Sequence, residues 1–367
     1  MISEWTLRRA RERILPLGAA GMDSHSYRSG VLAELKALVP HDAWVWPLAD
    51  PVTTVGIAPM AQGPFTRELP ALISLRYRTQ INRWTTLPIN PSQATSLQGV
   101  TGHNPKRSSL WPLLSRYSVK DVLSIAFADR WGMWGWLELW RVDDGPEFTG
   151  AEMHAVESMA AVVALGLREC SAREFHQGGS FQSLLRHPQA VLVLDDDLSI
   201  VNQTESSALW LGLLQRAPRP HQGVPAEVLN VAAQLLAVEC GADHHRAHSR
   251  LHVGEGVWAS LSAARMRAAS ANPAGPMAVT IQDCLPAERL EVFERCFALS
   301  PRECELLGLA AAGSDTAILA RRLGISKYTV QDTFKSIFTK CAVQSRGALL
   351  ALAIGPLASG RLGPGRH

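Results

Sequence analysis

Lysine is scarce in this chain. There are only six in 367 residues, with none between Lys120 and Lys327, and three of them (Lys327, Lys335, Lys340) crowd near the C-terminal end. The net charge of +3 therefore does not describe a uniformly basic surface. Charged residues make up only 19% against 47% hydrophobic, which supports a sizeable core and excludes wholesale disorder. Long apolar runs are missing too. Met159–Leu167 and Ala348–Ile354 fall far short of the roughly 18 residues a membrane helix needs. The six cysteines are scattered, with no zinc spacing and no plausible disulfide framework at this length, so reduced thiols are expected. Met1-Ile2-Ser3-Glu4-Trp5 lacks the apolar stretch of a signal peptide, and a cytoplasmic protein is expected. There is no GxxxxGK[ST] loop, and no nucleophile–base or carboxylate pair stands at usable spacing. We therefore expect no catalytic residues, no enzyme activity, no cofactor and no metal.

The length suggests two or three domains. Helices are expected at Leu7–Leu15, Ser29–Val39 and Glu68–Arg78, and strands at Ala43–Leu48 and Val52–Ile57. Pro88–Arg107 reads as a long loop around a short helical turn. Val119–Ala128 and Met133–Val142 alternate around Asp129-Arg130-Trp131-Gly132 as a hairpin. Thr149 and Glu152 form a capping box that opens a helix to about Arg168. After a linker at Gln177–Ser180, a second module reads strand, turn, strand (Ala190–Leu194, Asp195–Asp197, Leu198–Val201). Helices at Glu205–Leu214 and Pro225–Val238 follow, divided by the breaker Ala217–Pro220. Strands at His248–Val253, Val257–Met266 and Met277–Asp283 come next, with a mobile stretch at Ala268–Pro276. Pro286–Cys296 is helical, the tail Gly355–His367 is frayed, and no internal repeat is visible.

Leu299–Ile354 carries the densest local signal. Ser300 is an N-cap, Pro301 a first-turn proline and Glu303 the partner in a capping box. Gly313 ends that helix, and Ser314 can cap a second from about Asp315 to Leu323. Gly324 allows a tight turn, and Ser326 caps a third helix from Lys327 to about Lys340. Ala320, Gly324 and Val330 fall where a helix-turn-helix needs a small residue, a turn glycine and a core residue. The outer face of the third helix is left polar.

Leu299–Leu349 resembles the LuxR-type helix-turn-helix of bacterial regulators. The matching residues are Leu299–Glu303, Glu305, Gly313, Ala320, Arg322–Ser326, Thr329, Val330, Ile337, Phe338, Lys340, Val343, Ser345 and Arg346. The resemblance implies an all-α four-helix domain, placed here at 295–360, that docks on double-stranded DNA. Its third helix would enter the major groove, and its fourth, Ser345–Ile354, would make a homodimer contact. The DNA-binding residues expected are Ser326, Lys327, Tyr328, Thr329, Gln331, Asp332, Thr333, Lys335, Lys340 and Arg346. Lysines would meet phosphates, Gln331 could pair with adenine, and Arg346 either reaches phosphate or braces the fourth helix. Members of the family often carry Lys, Asn and His where this chain has Gln331, Asp332 and Thr333, which bears on operator preference.

The N-terminal part, about 20–172, resembles a GAF-type sensor, best at Asp129–Gly132, Gly135–Arg141 and Pro146–Thr149. The stretch 181–285 resembles a PAS domain through Val191–Asp195 and Ile200–Asn202. Both resemblances imply mixed α/β sensor domains that also contribute to a dimer. Nine of the eleven tryptophans precede residue 150. Trp44 with Trp46, and Trp134 with Trp136 and Trp140, share strand faces by period-two alternation. They read either as a ligand pocket lined by Trp44, Trp46, Trp134 and Trp136, or as core and partner-facing sheet. The expected function is a homodimeric transcription regulator whose sensor half answers a small molecule or a partner. The alternative is a sensor half that is a protein-interaction module without a ligand. Asp195–Asp197 reads as a charged turn, and Asp243-His244-His245 with His248 and His252 as a solvated edge beside Arg246 and Arg250.

Overall fold

The computed structural model describes residues 2–64, 68–90, 92–143, 145–177, 187–215, 224–266 and 275–355. The expected linker residues Gly178–Ser180, the breaker Ala217–Pro220, most of the stretch Ala268–Pro276 and the tail after Gly355 lie outside them.

Two helices open the chain, α1 (Glu4–Ala19) and α2 (Ser24–Leu38), capped by Ser3 and Asp23. Both are longer than expected, because side-chain caps start them upstream of the first apolar repeat. The first sheet contains β1 (Ala43–Ala49), β2 (Gly56–Gln62), β3 (Ala94–Ser96), β4 (Val119–Asp129) and β5 (Gly132–Val142). It is antiparallel, in the order β2-β1-β5-β4-β3. Helix α3 (Leu69–Arg78) follows β2, and the short helices α4 (Leu97–Thr101) and α5 (Trp111–Leu114) precede β4. The strand expected at Val52–Ile57 starts only at Gly56. Its first residues form a turn in which Asp50 Oδ1 accepts from the Val52 and Thr53 amides.

Helix α6 (Gly150–His176) opens on the Thr149/Glu152 capping box and runs 27 residues, about 40 Å at 1.5 Å per residue. Its stripe Val156, Met159, Ala160, Val163 and Leu167 packs under the sheet, and α1 and α2 lie against it. Gly166 is required at the crossing with α2, because a Cβ there would come within 2.7 Å of the Tyr27 ring. The helix continues past Arg168 and delivers Phe175 to the next module. There Phe175 packs on Trp258, Phe293 and Phe297 at centroid distances of 4.4, 5.2 and 5.9 Å.

The second sheet is built from β6 (Ala190–Leu194), β7 (Ile200–Gln203), β8 (His248–Gly254), β9 (Val257–Arg265) and β10 (Met277–Asp283), with α7 (Ser207–Leu214) and α8 (Ala226–Glu239) inserted before β8. Its order is β7-β6-β10-β9-β8. Counted from its own first strand, this is the order of the first sheet. The sequence reading found no repeat, and the two modules are alike in topology. Asp195 holds its turn by accepting from the Asp197 and Ser199 amides. Helix α9 (Pro286–Cys296) then leads into α10 (Pro301–Ala311), α11 (Thr316–Leu323), α12 (Lys327–Cys341) and α13 (Arg346–Ile354). Among the described residues no single helix is long and apolar enough to cross a membrane. Two antiparallel sheets followed by a helical domain agree with a mixed α/β half ahead of an all-α one.

Two expectations fail for identifiable reasons. Trp134 does not share a face with Trp136. Phe127 pairs with Gly135 but Ala128 pairs with Met133, so Trp134 sits in a bulge and turns into the α6 side of the sheet. The solvated edge at Asp243 and Arg250 is also overturned. Asp243 pairs with Arg83 at 2.5 Å and Arg250 with Asp50 at 2.8 Å, with no side chain of the four more than 2% exposed. Both pairs bridge the two modules, so each charge is buried against a partner that the sequence places far away.

Candidate nucleic-acid interface and sensor cavity

The helical domain is organised by its caps. Ser300 and Glu303 close the capping box of α10, and Leu306, Leu307 and Ala310 bury its inner face. Asp315, not Ser314, caps α11, accepting from the Ile318 amide at 2.8 Å. Ser314 is buried one residue earlier and offers its carbonyl to Arg346. Gly324 ends α11 at φ +64, a left-handed conformation in which glycine carries no Cβ penalty. Ser326 caps α12 at 3.0 Å. Val330, Phe334, Ile337 and Cys341 fill the inner face of α12.

That burial fixes which side chains of α12 point outward. Lys327, Tyr328, Gln331 and Lys335 are exposed, Tyr328 to 71%. Asp332 and Thr333 are half-buried beside them. Lys335 reaches Asp332 at 3.1 Å, so the one carboxylate on this face is countered from its own helix. Thr333 donates to the Thr329 carbonyl at 2.8 Å, and the Ser326 and Thr329 hydroxyls meet at 3.0 Å. Lys340 and Arg346 are held elsewhere. Lys340 donates to Glu303 at 2.6 Å and to the Ala298 carbonyl at 3.2 Å. Arg346 donates to the Ser314 carbonyl and lies over the Phe334 ring at 5.4 Å. Burial alone would raise the Glu303 carboxyl, but Lys340, Ser300 and Ser336 overcome it and bring it down to about 2. On α13, Leu349 and Ala353 face the core, while Gly347, Ala348 and Ala351 stay exposed on the side an expected dimer contact would use.

A cavity of about 510 Å³ lies between the two modules. The first contributes α2, β1, β2, α3 and β5; the second contributes α7, α8 and β8. Trp44 and Trp136 line it, but Trp46 and Trp134 do not. Trp46 is packed on Phe127 at 5.2 Å within the core under the sheet, where Trp134 joins it. Trp136 stacks on Trp84 at 4.3 Å, and Trp140 belongs to a third cluster with Leu97 and Leu113. Among the polar groups at the cavity wall, Arg28, Arg76, Tyr77, Glu138, Glu227 and Asn230 were not anticipated from sequence. Arg76 and Glu138 form an ion pair with both side chains under 10% exposed. Tyr77 accepts from the Gly56 amide at 2.9 Å while Asn230 donates to the Gly56 carbonyl at 3.0 Å. Burial pushes the Tyr77 hydroxyl well above its ordinary range, so it stays neutral. The first-module sheet edge is thereby tied to α3 through the amide of Gly56 and to α8 through its carbonyl.

Strand β8 connects this cavity to α9. Leu251, His252 and Val253 line the cavity, and the preceding Arg250 bonds Asp50 and, at 2.6 Å, Glu291 of α9. Arg289 of α9 lies over Phe175 and Trp258 and donates to the Leu352 carbonyl near the end of α13 at 3.1 Å. The Asp243, His244 and His245 ligand atoms lie within 4.8 Å of one another. The Asp243 carboxylate is already engaged by Arg83, by His245 and by two backbone amides.

Residues 298–353 match the family described as bacterial regulatory proteins, luxR family. This stretch is a LuxR-family helix-turn-helix domain, and the match to a family of regulatory proteins agrees with the expectation of a regulator rather than an enzyme. No curated protein matches the chain. Among solved structures, Escherichia coli SdiA is similar at 12% identity, covering 94% of this chain and 95% of its own, with a TM-score of 0.31. VqmA from Vibrio cholera, solved as a ligand–DNA complex, is similar at 19% identity over 46% of this chain and 84% of its own, with a TM-score of 0.20.

Proposed function

We propose that the chain is a sequence-specific, DNA-binding transcription regulator that acts as a homodimer and answers a small molecule through its GAF-like (20–172) and PAS-like (181–285) modules. The observation that carries this reading is the outer face of α12, where Lys327, Tyr328, Gln331 and Lys335 stand exposed on a helix-turn-helix whose inner face is fully packed. Lys327 and Lys335 would meet phosphates while Gln331 and Tyr328 read base edges. Ser326, Thr329, Asp332 and Thr333 complete that face. Lys340 and Arg346 act through the shape of the domain. A dimer would read two half-sites about 34–36 Å apart, or a multiple of it.

The cavity supports the sensing half of the proposal, because its size and mostly apolar wall with a few polar groups suit a small ligand. The contacts from β8 to α9 and from α9 to α13 supply a route by which occupancy would shift the populations of dimer geometries. The test is selection of genomic DNA fragments on the full-length chain at two salt concentrations, beside a Lys327→Ala/Lys335→Ala double variant. Enrichment of a two-fold symmetric site that survives higher salt and disappears in the variant is the expected result. Absence of any DNA binding at low salt would sink the regulator reading in favour of an interaction module.

A further inference from the structure

The cavity has a charge imbalance at one end. Of the deeply buried arginines, Arg76, Arg83, Arg141 and Arg250 each have a carboxylate partner (Glu138, Asp243, Glu152 and Asp50). Arg289 lies on aromatic rings instead. Arg28 has neither. It is 2% exposed and lines the cavity. Its Nε donates to the Ser24 carbonyl at 3.0 Å, and its Nη1 donates to those of Trp46 and Ala58 at 2.7 and 2.9 Å. All three acceptors are neutral. Among the described residues no acceptor meets Nη2, and no carboxylate lies at ion-pair distance.

Two carboxylates act on Arg28 from farther away, Asp23 and Glu174. Asp23 is turned to the Ser26 amide and hydroxyl, where it caps α2. Burial pushes Glu174 up to about 8, so it carries little charge at neutral pH. Burial also pulls the Arg28 guanidinium down to about 10, which leaves it a cation under the same conditions. A buried cation without a counter-charge is unfavourable, and the cavity beside it is a space into which an anion could be brought. The remaining wall is mostly apolar, including Trp44, Met60, Trp136, Leu213 and Val253, and its second carboxylate, Glu227, belongs to the first turn of α8. Arg76 is already matched by Glu138, and burial keeps His252 neutral at about 4.

We propose that this cavity binds an elongated apolar molecule carrying a single carboxylate, with Arg28 as the residue that pairs with it. This rests on reading the two modules as a sensor. The carboxylate would take the open Nη2 donors, adding the counter-charge that every ion-paired buried arginine of these modules already has, and the tail would run along the tryptophan-lined wall toward α8.

Decanoate, decanol and decylamine share one tail and differ in the charge of the head; phenylbutyrate and phenylbutanol repeat the comparison with a ring. Each is titrated into the full-length chain below its aggregation concentration and read by tryptophan fluorescence and thermal shift. The expected result is that at least one acid binds tenfold or more tighter than its alcohol, with the amine weaker still. Arg28→Gln should bring the acid down to the level of the alcohol, and Arg28→Lys should keep part of the difference. Because Arg28 also holds two strand carbonyls, Ala226→Trp provides a variant that fills the cavity from α8 and should abolish binding of acid and alcohol alike with the far-UV spectrum retained. No binding by any probe, equal binding of acid, alcohol and amine, or acid binding unchanged in Ala226→Trp each overturns the proposal. Operator binding by the same preparations is measured separately. Intact DNA recognition without headgroup discrimination removes only the carboxylate site, whereas headgroup discrimination without DNA recognition removes only the regulator reading.

Discussion

Arg250 on β8 and Asp50 at the end of β1, 200 residues apart in sequence, form a two-pronged ion pair with Nε–Oδ2 at 2.8 Å and Nη2–Oδ1 at 2.9 Å. The Arg250 backbone amide adds a third bond to Oδ2 at 2.8 Å. The pair is the polar centre of the contact between the two modules, with Thr53 donating to the His248 carbonyl beside it at 2.6 Å. Asp50→Ala would leave a guanidinium that is 1% exposed with Glu291, itself 60% exposed, as its remaining carboxylate. We expect a loss of about 3–5 kcal/mol in urea unfolding, the range for breaking one side of a buried pair. Asp50→Leu combined with Arg250→Met should lose clearly less. Equal losses for the single and double variants would show that the pair is not what holds the interface.

Gly56 leaves no room for a side chain where β2 meets α8. A Cβ there would stand 2.8 Å from the Trp136 ring and 2.9 Å from Asn230 Nδ2. Gly56→Ala should destabilise by about 1–3 kcal/mol, the usual result of overpacking, and should break the Tyr77 and Asn230 bonds together. Thermal unfolding measures the first effect, and a change in tryptophan emission, from Trp136 stacked on Trp84, reports the second. An unchanged melting temperature would contradict this packing.

The lysines of α12 should separate by role. Lys327→Ala and Lys335→Ala should each flatten the logarithmic salt dependence of DNA binding by about 0.9, the value of one phosphate contact on duplex DNA. Lys340→Ala should leave that slope unchanged and lower the melting temperature instead, since Lys340 is bonded to Glu303 and the Ala298 carbonyl. A slope change in Lys340→Ala as large as in the other two would place it on the DNA.

Glu303 gives the helical domain an acid-sensitive component. Its carboxyl is held down from 4.5 to about 2, so the charged form is favoured by folding. The resulting stability is present above the unfolded value of 4.5 and is lost as pH falls toward about 2. Lys340→Met should raise the Glu303 value and shrink the loss over that window. Urea midpoints at several pH values for both proteins measure it, and parallel pH curves would show that Lys340 does not hold the carboxylate.

The sequence alone was enough to place most helices and strands and the helix-turn-helix, because caps, turn glycines and apolar periodicity act over a few neighbouring residues. Ser300 with Glu303, Gly324 and Ser326 could be assigned for that reason. So could the hairpin around Arg130 and the turn held by Asp195. The tertiary structure decided everything that depends on distant partners. The bulge at Trp134 is a mismatch between two strands, which no single strand's alternation records, and it sends one tryptophan to the core and its neighbour Trp136 to the cavity. Arg250 read as a solvated charge because its counter-charge lies 200 residues away. The acceptors of Lys340 and Arg346, on α10 and at Ser314, become visible only once the helices have packed. The cavity exists only between two modules, so neither module's own sequence could have drawn it.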